Sequence, residues 1–151
     1  MVIKNPSIYL LLVFTILQGC DSYLVFSPRF VNNTGNTLTI LTYDTVSSEK
    51  RYVVEAGSSV VTSFPSRLKI VQPTMQWSYD ILPLLPKSPV KIDPTLAPYV
   101  QTLWNNSHII NVQIQPDGSL YVLKAASDGM IITPPPLEQP QGFPMRPTIG
   151  G

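Results

Sequence analysis

Apolar and polar positions alternate with a period of two along most of this chain, which is the spacing of a half-buried β-strand. Residues 37–43 form a β-branched run with Leu38, Ile40 and Thr42 on one face. Met75, Trp77, Tyr79 and Ile81 alternate with Gln76, Ser78 and Asp80. Ile110, Val112 and Ile114 do the same on one strand, and Leu120 and Val122 on the next. Shorter runs at 50–54, 58–64, 68–71 and 130–133 complete the set, and Phe30-Val31 follows an early alternation through Leu24 and Phe26. Trp77, Tyr79, Ile110, Val112, Ile114, Leu120 and Val122 are the expected core.

Turn chemistry falls between these runs. Asn32-Asn33-Thr34-Gly35-Asn36 and Ala56-Gly57 supply residues that tolerate positive φ. Pro116-Asp117-Gly118 fits a type I turn followed by a left-handed glycine, and Asp128-Gly129 marks the turn after it. Pro83, Pro86 and Pro89 recur at spacing three, the repeat of a polyproline II connector. Pro98 opens one or two helical turns that place Tyr99, Val100, Leu103 and Trp104 toward the sandwich. His108, after Asn105-Asn106-Ser107, is expected in a solvent-facing loop. From 134 to 151 the chain is rich in Pro, Gln and Gly and has no period, so it reads as a disordered tail.

Many short strands with frequent turns predict an all-β fold: an antiparallel β-sandwich, immunoglobulin-like or jelly-roll-like, with an open barrel as the alternative. Composition agrees, because charged residues are only 13% of the 151, about half the usual share. With Lys4 set aside, nine basic and nine acidic residues remain, and Lys50-Arg51 is the only basic pair. A nucleic-acid binder needs a clustered cationic surface, so nucleic acid is not an expected partner.

The start of the chain has a different character. The amino terminus and Lys4 precede an apolar stretch from Ile8 to Leu17, about half the length of a spanning helix. Leu17-Gln18-Gly19-Cys20 follows. This motif resembles the lipobox of bacterial lipoproteins. The resemblance implies that residues 1–19 are a signal peptide, that cleavage falls between Gly19 and Cys20, and that Cys20 carries the lipid. It further implies a chain held in the cell envelope, facing the periplasm or the exterior, with membrane lipid as its first partner. Asp21 after the cysteine implies inner-membrane retention by the enterobacterial rule. Cys20 is the only cysteine, so the domain, expected at 20–133, has no intramolecular disulfide.

Catalytic and metal chemistry has little to build on. His108 is the only histidine, there is no G-x-S-x-G elbow, and a zinc site needs several His or Cys ligands. No cofactor-binding or phosphate-binding loop is present, so neither an enzyme nor a cofactor is expected. The residues support a non-catalytic binding or structural module that engages another envelope protein. The alternative is a carrier with a small apolar or sugar ligand in an aromatic-lined groove. Within the tail, Phe143-Pro144-Met145-Arg146-Pro147 sets an aromatic, a thioether and a cation among prolines, a pre-extended ligand for a partner's groove.

Overall fold

The computed structural model describes residues 26–44, 48–81, 97–103, 107–124 and 134–150. Among the described residues ten strands run β1 (Phe26–Asn32), β2 (Leu38–Tyr43), β3 (Glu49–Val54), β4 (Ser59–Val61), β5 (Arg67–Val71), β6 (Gln76–Asp80), β7 (Val100–Thr102), β8 (His108–Ile114), β9 (Leu120–Leu123) and β10 (Thr148–Gly150). They form two sheets packed as a sandwich and not a barrel. The first has the order β4-β1-β8-β7, with β9 also on β8; the second has the order β10-β6-β5-β2-β3. β7 takes residues 108–110 of β8 and β9 takes 111–114, so the two short strands share one edge of β8 end to end.

The alternation positions the core. Leu38, Ile40, Leu68, Ile70, Trp77 and Tyr79 face inward from the second sheet, and Phe30, Val112, Ile114 and Leu120 from the first. Of the seven core residues read from the sequence, six are buried, and Ile110 is partly buried against the same cluster. Gly118 has φ 83°, and its N–H donates to the Gln115 carbonyl at 2.9 Å, as the predicted turn requires.

Asn32 ends β1 fully buried, and its side-chain amide replaces the ladder that stops there. Nδ2 donates to the carbonyls of Asn36 (2.7 Å) and Val54 (2.9 Å), while Oδ1 accepts from the Thr34 N–H (3.0 Å) and hydroxyl (2.9 Å). One side chain thus ties the 33–37 turn to the end of β3.

Three expectations change. The sandwich is not wholly antiparallel, since β1 pairs with β8 in parallel from Phe26↔His108 to Asn32↔Ile114. Alternation along a strand reports its faces and not its partner's direction. The helical turn shrinks to three residues of 3-10 helix, Ala97–Tyr99, and Val100 already belongs to β7. His108 is not in a solvent-facing loop: it opens β8, is buried, and its Nδ1 lies 3.1 Å from the Thr102 hydroxyl across the β7–β8 pair. The proline connector at 83–89, Trp104, the 130–133 strand and the lipobox lie outside the described residues. The largest correction concerns the tail.

Candidate interaction face: the strapped side of the sandwich

Residues 134–150 are not a free tail. They fold back as a strap over the side where the sheets end in β6 and β9. Proline excludes a residue from ladder donation only at its own position, and the pairing in the strap uses the positions between the prolines. Met145, between Pro144 and Arg146, exchanges both backbone hydrogen bonds with Leu120 at 2.9 and 3.0 Å. Gln139, before Pro140, uses its side chain as a peptide: Oε1 accepts from the Val122 N–H at 2.8 Å, and Nε2 donates to the Val122 carbonyl at 3.1 Å. Nε2 also bonds the Pro136 carbonyl at 3.0 Å, which holds the strap's own bend. Beyond Pro147, β10 pairs antiparallel with β6. The strap therefore occupies edge positions of both sheets, which would otherwise present unpaired N–H and C=O groups.

Side chains follow the backbone inward. Phe143 and Met145 are partly buried and pack on the core cluster. Pro147 closes on the turn after β8: a Cβ on Gly118 would lie 2.8 Å from two Trp77 ring carbons and 2.9 Å from the Pro147 ring. Glycine is thus required there by space as well as by φ. The Tyr79 hydroxyl donates to the Gly118 carbonyl, and burial pushes that phenol far above its ordinary value. The Asp117 carboxylate accepts from the Ser119 N–H and hydroxyl, both at 2.9 Å. The Ser119 backbone bond is the main cause holding Asp117 below the usual carboxylate range; nearby Arg146 of the strap adds to it. The Tyr99 hydroxyl fastens the start of the strap by donating to the Glu138 carbonyl at 2.9 Å.

The five residues singled out as a partner's ligand therefore separate. Phe143, Met145 and Pro147 are spent on this chain's own sandwich; Pro144 and Arg146 are exposed. Exposed too are Leu137 (103%) and Ile149 (75%), large apolar side chains on the strap that the core does not use. Trp77 and Tyr79 are core residues and line no groove. Gly19 and Cys20 lie outside the described residues.

Sequence reading also missed a cluster on the outer face of the second sheet. Tyr43, Arg67 and Lys69 face outward there, because their neighbours Thr42, Leu68 and Ile70 are buried. The Arg67 guanidinium carbon stands 5.7 Å and the Lys69 ammonium 5.8 Å from the centre of the Tyr43 ring, within cation–π range. The Tyr43 hydroxyl donates to Glu49 at 2.8 Å, and that bond, with burial, raises the phenol above its ordinary value. The charges alternate with apolar residues instead of forming a run, so a search for basic runs passes over them. The signal was the odd-numbered set 67 and 69, on the face opposite Leu68 and Ile70.

Among the described residues, no group of three or more His, Cys, Asp or Glu is placed to hold a metal ion. Comparison with protein-family models, with curated proteins and with solved structures gives no match for this chain.

Proposed function

We propose that the protein is a lipoprotein of the bacterial cell envelope, anchored through acylated Cys20, whose sandwich is a non-catalytic binding or structural module for another envelope protein. Two features support this reading. The first is the apolar stretch ending in Leu17-Gln18-Gly19-Cys20, with Cys20 only six residues before β1 begins at Phe26. The second carries the binding half: the strap that closes the sandwich turns two large apolar side chains, Leu137 and Ile149, to solvent. Scattered exposed apolar residues are ordinary, but these two belong to one 17-residue segment whose other apolar side chains, Phe143 and Met145, pack inward.

Two experiments divide the reading. Metabolic palmitate labelling should mark the wild-type chain and not Cys20→Ser; labelling that survives the substitution refutes the anchor. Photo-cross-linking residues placed at 137 and 149 in cells should each give a discrete adduct with an envelope protein, while the same probe at Val53, exposed on the opposite edge of the second sheet, should not. Equal adducts at all three positions, or none at 137 and 149, refute the strap as the contact face.

A further inference from the structure

Both sheets share one end, where residues 62–66 link the start of β1 to Tyr43. Thr62, just past β4, donates to the Pro28 carbonyl near the start of β1 at 3.0 Å. Residues 62–66 then cross between the sheets, and Ser66 donates to the Tyr43 carbonyl through its N–H (2.8 Å) and its hydroxyl (2.9 Å). Ser66 also accepts from Ile81 N–H at 3.3 Å. Phe26, Tyr43, Arg67 and Asp80 therefore belong to the same end, and the Asn32–Val54 bond marks the other.

The two ends differ in charge. Arg51, Arg67 and Lys69 surround Tyr43 on the outer face; Lys50, in register with the inward Thr42, belongs to the other face of β3, and Lys124 lies over the Tyr99 ring on the first sheet. The acidic groups here are Glu49, bonded to Tyr43, Asp80, opposite Arg67 in register, and Asp44. The described charges at the far end are Glu55, Asp117 and Arg146. The basic side chains also share a floor. Leu41 lies on the outer face between Arg51 and Lys69, yet is only 8% exposed. The stems of long basic side chains cover such a residue while their heads reach outward.

We propose that this Tyr43-centred face lies against the anionic lipid head groups of the membrane that holds the anchor. The inference rests on the lipid-anchor reading for its geometry. Six residues from Cys20 to Phe26 span at most about 20 Å, so the end carrying the cluster is the end kept at the bilayer. Electrostatic attraction to lipid falls off within a Debye length of about 8 Å, and the tether makes that proximity the resting state. Each partner has a distinct task. Arg67 offers a planar fork to phosphate oxygens and Lys69 a compact charge. The Tyr43 ring holds both heads together and is amphipathic, as interfacial aromatics are. The cluster thereby fixes which face of the domain looks at the membrane, and leaves the strapped side open to a partner.

The test uses the chain from residue 20 onward carrying Cys20→Ser, which keeps every described strand and core residue, so that binding is read without the lipid. Co-sedimentation compares vesicles of phosphatidylcholine alone with vesicles holding about a third phosphatidylglycerol. Binding to the anionic vesicles is expected, with loss in half-molar salt. Arg67→Gln with Lys69→Gln should weaken it roughly thirty-fold, taking about five-fold per cation near an anionic surface. Two substitutions to glutamine at exposed, uncharged far-end positions, Asn33→Gln with Ser58→Gln, should leave it unchanged, and thermal unfolding confirms that each variant is folded. Equal binding to both vesicle types, or an unchanged affinity in the Arg67/Lys69 variant, overturns the proposal. Palmitate labelling of Cys20 is scored separately, so a failed anchor and a failed face are told apart.

Discussion

On one long side of the sandwich the sheets end in β3 and β4; on the other they end in β6 and β9. On the first side the sheets are joined by neighbours in sequence. Residues 55–58 carry the chain from β3 to β4, and Asn32 grips the turn, its carbonyl accepting from Gly57 N–H and its own N–H bonding Ser58, both at 2.9 Å. The second side is closed by chain that is distant in sequence: Gln139 and Met145 reach β9, and β10 reaches β6. Exposed strand edges invite pairing with other chains; the strap meets that hazard on the second side, whereas among the described residues β3 pairs only with β2 and β4 only with β1. A local turn costs little loop entropy but spans only adjacent strands. A strap must order a long segment, and it recovers that cost by burying Phe143 and Met145 as it pairs.

The largest effect that separates the two sides should come from removing the strap. Deleting residues 137–151 uncovers the Trp77 ring and forfeits the half-burial of Phe143 and Met145, a loss of about 2–3 kcal/mol when full burial is worth about 1.5–3 kcal/mol per apolar side chain. Urea unfolding measures it, and hydrogen exchange should show the amides of β6 and β9 losing protection ahead of β3. Stability within 1 kcal/mol of wild type would mean that the strap merely rests on the sandwich.

The two amide clamps form the next comparison. Asn32→Ala strands buried partners of a fully buried side chain and should cost about 2–4 kcal/mol. Gln139→Ala removes a comparable pair of hydrogen bonds from a half-buried site and should cost about 1–2 kcal/mol. Equal losses would show that solvent access does not decide the worth of the clamp.

The glycines sharpen the contrast further. Gly57 (φ 73°) has open space around a built Cβ, so Gly57→Ala pays backbone strain alone, about 1 kcal/mol. Gly118→Ala adds the collision with Trp77 and Pro147 and should cost about 2–3 kcal/mol. Its excess should vanish in the strap deletion if Pro147 is what prevents the ring from moving.

The smallest effect is the pH dependence at Asp117. Its folded pKa is lowered, so its contribution is present above the ordinary carboxylate range and is lost as pH falls through the folded value. The group is exposed, so screening keeps the effect well under 1 kcal/mol. Comparing thermal midpoints from pH 6 to pH 2, Asp117→Asn should flatten the acid limb slightly, and Ser119→Ala, which keeps the backbone donor and removes only the hydroxyl, should flatten it less.

What was legible in the sequence divides along the same line. Strands β2, β5, β6, β8 and β9 were read because one buried face per strand imposes a period of two, and the turns at 33–36, 56–57 and 116–118 were read because positive φ demands particular residues. The strap escaped because its pairing has no period. Its bonds come from a glutamine side chain, one residue between prolines and three residues after the last proline, and proline density by itself reads as absence of structure. His108 escaped because the polar residues before it resemble a loop, whereas the strand begins at the histidine itself. The Tyr43 cluster escaped because its members come from strands brought side by side only by the register of β2 with β3 and β5.

The parallel pairing of β1 with β8 also sets the order in which the molecule can be assembled. Arg29 and Asn111, partners across that pair, stand 82 residues apart in the chain. Hairpin β2–β3 and pair β5–β6 close short loops and are available within microseconds, whereas a contact of that separation waits on a long diffusive search. The second sheet is therefore expected to nucleate folding and the first to complete it. β1 then remains one of the last strands to be fixed, held early only by its short antiparallel contact with β4. In kinetic terms, substitutions in β2 and β5 should slow folding, while those in β1 should chiefly speed unfolding.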